Sequence, residues 1–109
     1  MPTTYKVLGQ SNPSATTATT LYTTPAATQA IVSTITVCNQ AATAATYRIA
    51  VRVAGAALGA TQYIAYDVSL PANATDTLTL GVTLGATDVI TVYASSATMS
   101  FNAYGSEIA

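Results

Sequence analysis

The chain has 109 residues, enough for one domain with a single modest core. Half of the residues are hydrophobic, only 6 % are charged against about 25 % in an ordinary globular domain, and the net charge is −1. With no basic run there is no electrostatic footprint for a phosphate backbone, and no apolar stretch reaches the roughly 18 residues of a spanning helix, so neither nucleic acid nor membrane is an expected partner.

The low charge does not signal disorder, because Val, Ile, Thr and seven Tyr supply the β-branched and aromatic residues that disordered chains lack. The first segment, "MPTTYKVLGQSNPS", has no apolar signal-peptide core, and "TYKVLGQ" within it reads as a strand. Residues 1–20 form a polar, Thr-rich arm that either joins a neighbour's sheet or makes the first strand of its own. The short "TLYTT" follows. "AIVSTITVC" is then apolar on both parities, as expected of a strand in the middle of a sheet.

"TYRIAVRVA" alternates with period two. Tyr47, Ile49, Val51 and Val53 share the predicted core face, and Arg48, Ala50, Arg52 and Ala54 share the other. In "TQYIAYDVSL" the same rule places Ile64, Tyr66, Val68 and Leu70 inside, with Tyr63, Asp67 and Ser69 outside. "TDTLTLGVTL" sets Leu78, Leu80, Val82 and Leu84 against Thr77, Thr79, Gly81 and Thr83. "DVITVYA", apolar on both parities, and "MSFNAYGSEI" complete about eight strands. Gly, Pro, Asn, Asp and Ser cluster between them where turns need special dihedrals. The predicted fold is all-β: one antiparallel β-sandwich spanning residues 1–109, jelly-roll or immunoglobulin-like.

Chemistry-bearing residues are sparse. The absence of histidine removes the commonest general base and the commonest zinc ligand, so no catalytic residue, cofactor or metal site is expected. Cys38, the lone cysteine, cannot form an internal disulfide and is expected to be a small buried thiol near a strand end. The acids Asp67, Asp76, Asp88 and Glu107 are scattered, and each is expected at a turn or on the surface. The sequon Asn73-Ala74-Thr75 is read as a chance match. The candidate contact residues are Tyr5 and Lys6 of the arm, Arg48 and Arg52 on one strand face, and Tyr63 and Tyr104 on outward parities. Arg suits interface ion pairs, and an exposed Tyr anchors a protein contact or stacks on a sugar.

"TYKVLGQSNPSATTATTLYTTPAATQAIVSTITVCNQ", "YRIAVR", "YIAYDV", "LTLGVTLGATDVITVYAS" and "SFNAYGSEI" together resemble small structural proteins of tailed bacteriophages, especially those infecting cyanobacteria and other aquatic hosts. The resemblance covers nearly the whole chain and implies a non-enzymatic component located in the virion, without fixing its place in the particle. Its expected partners are other virion proteins, either the major capsid protein or tail and neck proteins. Low charge fits a decoration protein on the shell and a homo-oligomer, with a trimer as the expected ring. A neck, tail, baseplate or fibre component with a receptor- or carbohydrate-binding role is the alternative.

Overall fold

The computed structural model describes residues 2–109. Eight strands follow in order: β1 (Thr3–Ser11), β2 (Thr19–Thr23), β3 (Gln29–Asn39), β4 (Ala45–Arg52), β5 (Tyr63–Leu70), β6 (Thr75–Leu84), β7 (Val89–Ala94) and β8 (Met99–Ile108). No α-helix occurs among the described residues, and two short 3-10 turns lie between β4 and β5. The strands form two four-stranded sheets, β1-β8-β3-β6 and β2-β7-β4-β5, with every pairing antiparallel.

This order decides between the two sandwiches left open by the sequence. Among the described residues β4 and β5 are the only consecutive strands that share a sheet, and every other connection crosses from one layer to the other. An immunoglobulin-like chain keeps its first two strands together in one sheet. Here the chain passes between layers at every connection but β4–β5, which makes a jelly roll. β1 is accordingly a strand of the chain's own sheet, hydrogen-bonded along β8 from Thr3↔Ile108 to Ser11↔Phe101.

Apolar faces of the two sheets meet in a core that includes Val32, Ile35, Ile49, Ile90, Val92 and Phe101, all with no exposed surface. Tyr47 packs edge-on against Phe101, with ring centroids 6.1 Å apart. Alternation is unbroken in β6, where Leu78, Leu80 and Val82 are half-buried against the core and Leu84 is fully buried. The two-parity apolar pattern of β3 has a different cause from the one expected. β3 is central, but its register slips between Val32 and Thr34, so the inward parity changes from Ala30 and Val32 to Ile35 and Val37. A bulge inserts one residue and turns every later side chain over.

That bulge explains two departures from expectation. Ile31 faces out and is 40 % exposed, and Cys38 stands half-buried on the outer face, with Val37 and Asn39 inward on either side of it. A second slip, in β1 between Val7 and Gly9, lies across β8 from the first. Gly105 sits between the two, where a Cβ would overlap the Ile31 carbonyl oxygen. Glycine permits that close backbone approach.

β5 also departs from the predicted parity. Val68 and Leu70 point inward, but Ile64 and Tyr66 are 48 % and 56 % exposed. Asp67 adopts a left-handed φ of 49°, and the register against β4 jumps from Tyr47↔Val68 to Ile49↔Ala65. The extra residue turns Tyr66 outward and gives its inward place to Ala65. β4 itself ends at Arg52, so Val53, expected in the core, lies in the following turn and is 68 % exposed. Ala50 does face outward, yet it is buried in a depression lined also by Leu58 and Tyr63.

Candidate binding faces

All seven charged side chains make hydrogen bonds within the chain, so its electrostatics are largely internal. Among the described residues, no three of His, Cys, Asp and Glu come together as a metal-holding group. Asp88 follows the turn reading: its carboxylate accepts from the Gly85 and Ala54 amides, each at 2.8 Å. Asp76 does not. It lies within β6 and accepts the Tyr47 hydroxyl from the opposite sheet at 2.8 Å. Glu107 of β8 likewise accepts the Tyr22 hydroxyl of β2 at 2.5 Å and pairs with Lys6 at 2.7 Å. Two tyrosines thus bridge the layers by donating to carboxylates.

These contacts fix a pH profile. Burial first, and then the neighbouring carboxylates, raise the ionisation of Tyr22 and Tyr47 well above the usual phenol range. A raised folded pKa gives stability that is complete below the unfolded value, about 10, and lost as pH rises through the folded one. Hydrogen bonds from Lys6 and then Tyr22 hold Glu107 below the usual carboxylate range, and Arg48 does the same for Asp67. Their contribution is present above about pH 4 and lost as pH falls through the lowered values. For Asp67 it is small, because the pair is exposed to solvent that screens it. With no histidine to titrate between these limits, thermal melting should be flat from about pH 5 to 9. It should fall as pH rises above about 10, and Tyr47→Phe should blunt that fall.

The outer face of the β2-β7-β4-β5 sheet carries the first cluster. Arg48 donates from Nε to one Asp67 oxygen at 2.6 Å and from Nη2 to the other at 3.2 Å. Its guanidinium also lies 4.2 Å from the Tyr66 ring centroid and 4.4 Å from that of Tyr93. Tyr63 meets Tyr66 edge-on, with centroids 4.9 Å apart. Arg52 sits apart from this group and is spent on structure, donating to the Ala56 and Gly55 carbonyls and to Thr91.

The outer face of the β1-β8-β3-β6 sheet carries the second. Val7 lies directly across from Tyr104, and both Tyr5 and Ile31 oppose Ser106, which places the four apolar side chains side by side over three strands. They are exposed by 84 % at Tyr5, 49 % at Val7, 40 % at Ile31 and 37 % at Tyr104. Tyr5 and Val7 stand on β1, which among the described residues is an edge strand of its sheet. Lys6 does not guard this face, because it turns to the other side of the strand to meet Glu107.

The six residues singled out from sequence therefore divide. Tyr5 and Tyr104 share one face, Arg48 and Tyr63 share the other, and Lys6 and Arg52 belong to neither cluster. Tyr66, Tyr93, Asp67, Val7 and Ile31 were missed. Tyr93 stands opposite Arg48 through the β4–β7 register, which no local pattern encodes, and Tyr66 and Ile31 are turned out by bulges.

Comparison with protein-family models, curated proteins and solved structures finds no match to the chain.

Proposed function

We propose that this jelly roll is a non-enzymatic structural protein of a tailed-bacteriophage virion, a capsid decoration or cement protein that holds the shell through repeated protein contacts. The reading rests on the sequence resemblance and, by fold-level analogy alone, on the use of jelly rolls in viral capsids. The observation that carries it is the face formed by Tyr5, Val7, Ile31 and Tyr104, which reaches the edge strand β1. Clustered exposed apolar residues mark interaction surfaces, and an unprotected edge strand invites a further strand. The 21 threonines keep much of the remaining outer surface polar without charge, which leaves little repulsion between copies packed on a lattice. A homo-oligomer on the major capsid protein suits these features, and a neck, tail, baseplate or fibre protein is the second reading.

Quantitative mass spectrometry of purified virions separates the two. Hundreds of copies per particle are expected for a decoration protein, whereas a few to a few dozen would move the protein to the neck, tail, baseplate or fibre, and absence from the particle would end the structural reading. The double variant Tyr5→Ser, Tyr104→Ser should reduce incorporation while melting within a few degrees of the parent, since both side chains are exposed. Deleting residues 2–12 is not an equivalent test, because it removes β1 from the sheet.

A further inference from the structure

We infer that the outer face of the β2-β7-β4-β5 sheet binds an uncharged saccharide, with Tyr66 and Tyr63 as the stacking platform and the Arg48–Asp67 pair as the hydroxyl-reading group. This goes beyond the shell reading and does not depend on where in the particle the protein sits.

The shape comes first. Tyr63 and Tyr66 line a groove of about 590 Å³ whose other wall is Gly59 and Ala60. Tyr63 also borders a second depression of about 200 Å³ that reaches Arg48 and Tyr93. The larger volume falls within the roughly 300–1,000 Å³ of small-molecule sites. At Gly59 no atom lies within 4 Å of where a Cβ would stand, so this wall is open.

The chemistry narrows the ligand class. Arg48 spends two of its five N–H groups on Asp67, and no further protein acceptor engages it. Asp67 keeps 45 % of its side-chain surface exposed, with lone pairs to spare. Free donors and acceptors therefore stand side by side, held in place by two aromatic rings. Adjacent sugar hydroxyls, each able to donate and accept, match that arrangement, while the C–H face of a pyranose covers a tyrosine ring. The ion pair is internally neutral and the whole chain carries −1, so a phosphate, a sialic acid or a nucleic-acid strand finds no net positive field. A large protein partner fits the other sheet better, where the exposed face is apolar and carries no charged pair.

Saturation-transfer difference NMR on the intact chain tests this. The probes are glucose, galactose, mannose, N-acetylglucosamine, maltose and cellobiose, with glucuronic acid and N-acetylneuraminic acid as charged comparisons. At least one neutral sugar should receive transfer at its ring C–H protons. Tyr66→Ala and Tyr63→Ala should each weaken that binding roughly tenfold, Tyr66→Phe should retain it, and Tyr104→Ala should leave it unchanged. Thermal melting of each variant confirms that the sheet is intact. No transfer from any neutral probe overturns the proposal, as does binding that survives both alanine variants or is confined to the charged sugars. Any of these results leaves the copy number in the virion untouched, so the two readings fail separately.

Discussion

Phe101→Ala should destabilise the protein by about 3–5 kcal/mol, the range for removing a buried aromatic ring. Phe101 lies on β8, between β1 and β3, with no exposed surface, and its ring meets Tyr47 of the opposite sheet. Strands on both sides hold β8 in place, so the layers cannot collapse fully into the space left behind. Total stabilities of single domains are about 5–15 kcal/mol, so this one change removes a large share. Urea denaturation should show the loss as a lower midpoint at an unchanged slope. Thr77→Ala, on the outward parity of β6, should shift it by less than about 0.5 kcal/mol. Similar effects from the two variants would mean that the sheets do not pack through these faces.

Asn39→Ala should cost about 3 kcal/mol, because one side chain satisfies the backbone of several turns at one end of the sandwich. Asn39 ends β3 with no exposed surface. Its amide nitrogen donates to the carbonyls of Thr43, Leu70 and Pro71 at 3.0, 3.2 and 3.3 Å. Its oxygen accepts from the Ala41 amide and the Thr98 hydroxyl, both at 3.1 Å. Alanine leaves those buried groups without a partner, and the loops after β3, β5 and β7 lose their common tie. Asn39→Asp should be worse at neutral pH, since a carboxylate cannot donate to three carbonyls that surround it. Hydrogen exchange should show lost protection at Asn73, whose amide donates to the Ala41 carbonyl, before any loss in the strand centres. Uniform protection across the Ala variant would refute this account of the turns.

How far the sequence reached depends on the element. In β6, polar and apolar residues alternate without interruption, and the predicted faces match the structure from Leu78 to Leu84. In β3 one bulge reverses the faces part-way along, and in β5 the register against β4 shifts twice, first turning Tyr66 out and then returning Tyr63 to the outer face. Those bulges arise from how each strand pairs with its neighbours, at Ile49↔Ala65 and at Thr34↔Tyr104, so the residues of one strand do not announce them. The candidate sites share this limit. Tyr63 and Tyr104 were legible as outward parities, and Tyr5 as a contact residue of the N-terminal arm. Tyr66 and Ile31 were not, and Arg48 could not be matched to Tyr93 without knowing that β4 lies beside β7.

By itself the sequence determined the all-β class, the number of strands, their approximate limits and the absence of histidine chemistry, because each follows from composition or from the period of two along a strand. Only the tertiary structure decided that the sandwich is a jelly roll, that Tyr22 and Tyr47 reach carboxylates across the layers, and that the exposed tyrosines divide between two opposite faces. The physical reason is common to all three. They depend on which strands lie side by side and in what register, and that is settled by packing two sheets together over a shared core, between residues far apart in the chain.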